Sequence, residues 1–208
     1  MIGIVDYGCG NLGSIANMLR KVGAKSSVVR TADEIASSEK LILPGVGHYD
    51  RGMSQLNQAG LRDALEKRVL GEGVPILGIC LGMQLLLSSS EEGSEPGLGW
   101  VPGKNIRFRV PEGEKLRIPH MGWSEVDPVA GSTLLTGYDN TPRFYFVHSY
   151  HAADVPEESV AATADYGERF VCAIEHRNIY ATQFHPEKSH RYGIHVLQRF
   201  ADLNQGDD

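Results

Sequence analysis

Val74-Pro75-Ile76-Leu77-Gly78-Ile79-Cys80-Leu81-Gly82-Met83-Gln84-Leu85-Leu86-Leu87 is the stretch that decides the architecture. Val74 to Ile79 is a nearly all-apolar run, and a strand apolar on both faces belongs at the centre of a parallel sheet covered by helices. Leu81 to Leu87 continues as a helix. Between them, Gly78-Ile79-Cys80-Leu81-Gly82 reads as a sharp strand-to-helix turn. Such a bend forces its central residue into a strained conformation, and the flanking glycines remove side chains that would collide across it. Cys80 is then pushed out at the carboxyl edge of the sheet. The first helical turn offers unpaired N–H groups and a positive dipole end, which favour an anionic sulfur. The Leu81 N–H also points to where the oxyanion of a tetrahedral intermediate would form. The bland alternative is a small core cysteine in a tight turn.

Outward from this stretch, short apolar strands alternate with amphipathic helices through the first half, the pattern of an α/β fold with an open, mostly parallel central sheet flanked by helices. Ile2 to Val5 reads as a strand. Leu12, Ile15, Leu19 and Val22 then recur at helical spacing, and Gly23 stops the helix. Ser27 to Arg30 and Leu41 to Leu43 read as further strands, followed by a helical region with Leu61, Leu65, Val69 and Leu70 on one face. The second half has shorter segments and more Gly and Pro. Ile106 to Val110, Phe144 to Val147, Val160 to Ala164, Phe170 to Ile174 and Tyr180 to Gln183 predict a smaller mixed or antiparallel layer. A last helix from about His190 to Leu203 turns Ile194, Leu197 and Phe200 inward, and Gly206-Asp207-Asp208 reads as a frayed tail.

The chain of 208 residues suits one domain, 1–208, with a sizeable core; no linker divides it. Twenty basic against 26 acidic side chains leave a net charge of −6, which argues against a nucleic-acid or membrane-surface partner. Cys9, Cys80 and Cys172 are an odd, widely spaced set, as expected in a reducing cytoplasm. No secretory leader and no run approaching the roughly 18 to 20 apolar residues of a membrane span is found. No His, Cys or carboxylate cluster has metal-ligand spacing, so no metal or other cofactor is expected.

A cysteine nucleophile for acyl transfer needs an imidazole nearby, and eight histidines compete for that role. His185 stands out because Asn178 to Gln183 reads as a strand and His185-Pro186-Glu187 leaves its end. In an extended segment residues i and i+2 project to one side, so Glu187 can accept a hydrogen bond from the His185 ring and fix its tautomer. A solvated turn pair is the alternative. Pro44-Gly45-Val46-Gly47 follows a strand expected beside the Cys80 strand, so its backbone N–H groups, at Val46 and Gly47, can face the same crevice. Gly8-Cys9-Gly10-Asn11-Leu12-Gly13 matches the dinucleotide G-x-G-x-x-G pattern literally, but the acidic residue expected about twenty positions on is replaced by Arg30, with Asp33 beyond it.

Together these segments resemble the triad-type (class I) glutamine amidotransferases. The resemblance is carried by Asp6-Tyr7-Gly8-Cys9-Gly10-Asn11, Leu43-Pro44-Gly45-Val46-Gly47, Gly78-Ile79-Cys80-Leu81-Gly82-Met83-Gln84, Pro119-His120-Met121-Gly122-Trp123, Phe144-Tyr145-Phe146-Val147-His148-Ser149-Tyr150 and Gln183-Phe184-His185-Pro186-Glu187-Lys188-Ser189. It implies that Cys80 attacks the glutamine side-chain amide, that His185 protonates the departing ammonia and then activates water, and that Glu187 holds His185. It implies an oxyanion hole from the Leu81 N–H and the Val46-Gly47 turn, the turn needing a peptide rearrangement before it donates. Gln84, Glu92, Ser149 and Tyr150 would hold the glutamine head group, Glu92 taking the ammonium. The partner implied is a (β/α)8-barrel cyclase subunit of histidine biosynthesis, bound as a heterodimer, which uses the ammonia on a phosphoribulosyl carboxamide nucleotide. Asn11, Ser14, Trp123 and Lys188 match positions at that interface, with Trp123 near the ammonia exit. Ser124 departs from the family, which usually has Asn there. Two other readings stay open: the glutaminase of a different triad amidotransferase, and a nucleotide-binding module built on the N-terminal glycines.

Overall fold

The computed structural model describes residues 1–109 and 116–203. In chain order the elements are β1 (Ile2–Val5), α1 (Leu12–Lys21), β2 (Ser26–Val29), α2 (Ala32–Ala36), β3 (Lys40–Gly45), α3 (Tyr49–Gln58), α4 (Arg62–Glu66), β4 (Ile76–Cys80) and α5 (Leu81–Leu86). They continue with β5 (Lys104–Arg107), β6 (His120–Glu125), β7 (Asp127–Pro128), β8 (Arg143–His148), β9 (Tyr150–Ala153), β10 (Val160–Asp165), β11 (Arg169–His176), β12 (Ile179–Thr182) and α6 (His190–Asp202). The main sheet runs β2-β1-β3-β4-β12-β11-β10-β7, with β5 and β9 attached through β11, and β6 and β8 form a separate ribbon. Pairing is parallel from β2 through β12 and antiparallel from β12 to β7. Two sheet regimes therefore meet at β12, one strand away from β4.

The parallel half is buried because helices cover both its faces, and β4 is enclosed along its whole length. Ile76 packs with Tyr49, Met53, Leu56 and Leu85 on the α3 and α5 side. Leu77 and Ile79 point to the opposite layer, where Ile15, Leu19, Val196, Leu197 and Phe200 come from α1 and α6. This alternation is what the period of two along a strand requires. Each such fully buried aliphatic side chain contributes roughly 1.5–3 kcal/mol relative to exposure. Among the described residues no helix is long and apolar enough to cross a membrane.

Several expectations shift at their ends, and a few fail for physical reasons. Leu70 is half exposed, off the buried face that holds Leu61, Leu65 and Val69. The segment Lys67–Gly71 is a π turn, and its wider winding rotates Leu70 away from the stripe. In α6 the inward positions are Val196, Leu197 and Phe200, whereas Ile194 is only partly buried. β6, β7 and β9 escape the sequence reading because β6 mixes polar residues with Met121 and Trp123 that face outward, β7 is two residues long, and β9 follows β8 without a turn signal. Val110 and the tail Gly206-Asp207-Asp208 lie outside the described residues.

Candidate active site

The bend after β4 is as sharp as its glycines imply. Cys80 sits at φ 54°, ψ −107°, a left-handed conformation strained for any side-chain-bearing residue. A Cβ on Gly78 would lie 3.0 Å from the Gly82 carbonyl, and one on Gly82 would lie 1.9 Å from the Leu43 carbonyl oxygen. No larger residue fits at Gly82 without moving β3 or α5, so the glycine sets how closely the helix approaches the sheet. Gly45 pairs in register with Cys80, which brings the Val46-Gly47 turn to the rim of the bend.

A cavity of about 240 Å³ opens there, lined by Val46, Gly47, Cys80, Leu81, Gln84, Glu92, Pro119, Val147, His148, Ser149, Tyr150 and His185. All the residues expected to react with or hold a substrate thus line one space, except Glu187, which stands behind the imidazole. His185 Nδ1 and Glu187 Oε1 are 2.8 Å apart, and the two side chains are 1% and 2% exposed. Their contact does not come from an extended segment: Pro186–Lys188 is a 3-10 turn, and only His185 itself is extended. The turn swings Glu187 back over the ring, a geometry that the strand argument did not foresee. Among the described residues, His185 Nε2 is buried with no hydrogen-bond partner within ordinary distance. Burial draws the His185 pKa down, but the Cys80 sulfur and the Glu187 carboxylate outweigh it and push the value up to about 9. The imidazole therefore holds a proton at neutral pH, the state required of a donor to a leaving amine.

Glu92 reaches the cavity from the loop after α5, and its Oε2 accepts the Tyr49 N–H at 2.8 Å, which holds the carboxylate at the wall. Gln84 is 5% exposed; its Nε2 donates to the Tyr150 carbonyl (3.1 Å) and to Gln183 Oε1 (3.2 Å). The same Tyr150 carbonyl accepts from His148 Nδ1 at 2.8 Å. His148 Nε2 then meets His120 Nδ1 at 3.1 Å, and His120 Nε2 meets Ser124 Oγ at 2.8 Å. A carbonyl can only accept, so Nδ1 carries the proton on both rings and Ser124 donates its hydroxyl. Burial lowers the pKa of His120 to about 4 and that of His148 to about 3. Sequence reasoning passed over both histidines; the alternation of β8, with His148 two residues from Tyr150, was the signal available.

These buried neutral histidines make the fold sensitive to acid. Their folded pKa values lie below the unfolded value of about 6.5, so the unfolded chain takes up protons first. Stability is complete above that pH and declines as the pH falls toward the folded values. At pH 5 the expected loss is on the order of 1–2 kcal/mol for each histidine. His185 is shifted the opposite way: its stabilisation is present in full below about 6.5 and is lost progressively between about 6.5 and 9, so between pH 7 and pH 5 it offsets a small part of the loss. Urea unfolding at pH 7 and pH 5 measures the difference, and equal stabilities would contradict the neutral network.

Trp123, Lys188, Asn11 and Ser14 do not line the cavity. Trp123 is 39% exposed and stacks on His190 at 5.5 Å, and Lys188 Nζ lies 5.7 Å from the centre of the Tyr145 ring. The indole thus stands on the outer face of the β6–β8 ribbon, beside the exposed Met121, and not in the core. Asn11 caps α1 by accepting the Ser14 N–H, and α1 packs against the Pro186–Lys188 turn. Gly10 explains the N-terminal glycines differently from a nucleotide cradle: a Cβ there would lie 2.9 Å from Pro44 Cβ, so the residue is needed for close packing on β3.

An α/β sheet with a strained cysteine at a strand-to-helix bend, facing a His–Glu pair, defines the class to which comparison with known proteins also leads. The chain belongs to the class-I glutamine amidotransferase family, whose model matches residues 3–203. Within that class it groups with the HisH subunits of imidazole glycerol phosphate synthase. It is 48% identical to that subunit from Bdellovibrio bacteriovorus and 46% identical to that from Leptospira interrogans, in each case over 98% of this chain and 100% of the relative. Among solved structures, PurLQS from Thermotoga maritima matches with a TM-score of 0.71 at 18% identity, covering 96% of both chains, a likeness of fold alone.

Proposed function

We propose that this chain is the glutaminase subunit of imidazole glycerol phosphate synthase, hydrolysing glutamine to glutamate and ammonia for a (β/α)8-barrel cyclase in histidine biosynthesis. The observation that carries this reading is the convergence of Cys80, His185 and Glu92 on one cavity of about 240 Å³. The Cys80 sulfur attacks the carboxamide carbon and forms the C–S bond. The Leu81 N–H, and the Val46-Gly47 turn once it is reoriented, receive the oxyanion. As the C–N bond breaks, His185 gives its proton to the leaving ammonia. It then takes a proton from water, which cleaves the thioester to release glutamate. Glu187 holds the ring throughout.

Glu92 suits the substrate ammonium, and Gln84, Ser149 and Tyr150 surround the remainder of the head group. Trp123, Lys188, Asn11 and Ser14 form the side toward the cyclase, in a heterodimer working in the cytoplasm, where the three free thiols remain reduced. Glutamine turnover is expected to be weak in the isolated chain and to rise on the order of 100-fold when the cyclase and its nucleotide are added. Ammonia release measured with and without them tests this. Failure of the barrel cyclase to bind or stimulate would move the chain to a different triad amidotransferase.

A further inference from the structure

Gln183 has no part in the chemistry above, yet it touches the nucleophile. It lies in the bend that links β12 to His185, two residues before the imidazole. Its side chain is completely buried, and its backbone N–H is tied to the Cys172 carbonyl at 2.8 Å. A buried carboxamide must satisfy both its ends or lose the free energy of hydration it had in water. Which end points where follows from a single backbone atom. The Tyr150 carbonyl can only accept, so Gln84 must present its NH2 there. The second hydrogen of that NH2 goes to the Gln183 side chain, which must therefore offer Oε1. The Gln183 Nε2 is left facing Cys80 Sγ at 3.8 Å, a distance that reflects the larger radius of sulfur.

We propose that Gln183 is a second catalytic contact of the nucleophile, its amide N–H donating to the Cys80 sulfur and favouring the thiolate beside His185. Cys80 has few other groups to hold it. Among the described residues, apart from His185, the sulfur also makes a 4.0 Å approach to the Val147 carbonyl, which can only accept and so offers nothing to an anion. The titratable groups facing the sulfur are His185, from the turn after β12, and Tyr7, from the loop after β1. Glu187 stands behind the imidazole. The amide is also preorganised, because the Tyr150 carbonyl accepts from Gln84 and so orients it, and Gln84 donates to Gln183 Oε1 and so orients Gln183. A donor held in this way costs no reorganisation when charge appears on sulfur.

This inference rests on Cys80 being the nucleophile, and one experiment separates the two claims. Full-length wild-type protein, Gln183→Met and Gln183→Glu are alkylated with iodoacetamide across a pH series, with modification of Cys80 followed by mass spectrometry and residual ammonia release measured in parallel. Gln183→Met keeps the volume and removes the donor; the midpoint of Cys80 alkylation is expected to rise by about 0.5–1 pH unit. Gln183→Glu keeps an acceptor for Gln84 and puts an acid beside the sulfur, so its midpoint is expected to rise further still. A purely structural role would lower the melting temperature and leave the midpoints where they were. Midpoints equal to wild type in either folded variant overturn the assignment to Gln183, while loss of ammonia release on Cys80 alkylation still upholds the nucleophile. Ammonia release that survives Cys80 alkylation overturns both.

Discussion

Replacing Cys80 by Ala is expected to lower ammonia release from glutamine by roughly 10⁴-fold or more, measured with the cyclase and its nucleotide present so that the wild-type rate is at its highest. The expectation follows from what the residue alone supplies. No other side chain lining the cavity can form an acyl intermediate in its place at the tip of the bend. Ser149 shares the lining but lies in the segment between β8 and β9, not at the strand-to-helix bend. The substitution is also structurally mild, since alanine keeps the Cβ that already sits at φ 54° and removes one nearly buried sulfur atom. A melting temperature close to wild type should accompany the loss. A Cys80→Ala protein that still released ammonia at more than roughly a hundredth of the wild-type rate would end the proposed mechanism.

Glu187→Gln is expected to cost roughly 10³–10⁴ in kcat with a small change in KM. The magnitude is borrowed from the equivalent change in a serine-protease triad; the cause can be read in this molecule. Glu187 Oε1 lies 2.8 Å from His185 Nδ1, while Oε2 is buried without a partner among the described residues. A carboxylate can only accept, so Nδ1 must carry hydrogen and Nε2 is presented toward Cys80. An amide in the same pocket can place its NH2 against Nδ1 and stabilise the opposite tautomer. It also removes one of the two influences that hold the His185 pKa at about 9. The pH–rate profile of the variant should therefore shift as well as fall. An unchanged kcat would mean that Glu187 only fills space behind the ring.

The sequence made the elbow legible because its signal is local. An apolar strand, two glycines and a helix, all within fourteen residues, leave few ways to fold. The His185–Glu187 contact was legible only as a pairing; the 3-10 turn that produces it depends on Pro186 and on how Ser189 ties back, its Oγ donating to the His185 carbonyl. Gln183, His148 and His120 were missed for a different reason. Each is a polar residue, in a strand for His148 and His120 and in a bend for Gln183, which in sequence looks the same whether it faces solvent or a buried amide network. The exposed Leu70 shows the converse, a regular apolar stripe undone by one π turn.

What the sequence determined by itself is the α/β order of elements, the strained bend at Cys80 and the short-range partner of His185. Those depend on interactions between near neighbours, where residue type restricts backbone geometry directly. Only the tertiary structure decided that β12 lies beside β4, which sets His185 and Gln183 against a sulfur about a hundred residues earlier in the chain. It alone decided that the Tyr150 carbonyl fixes the proton positions from Ser124 through to the nucleophile. Strand order is set by packing free energy summed over the whole sheet, and no short segment of sequence carries that sum.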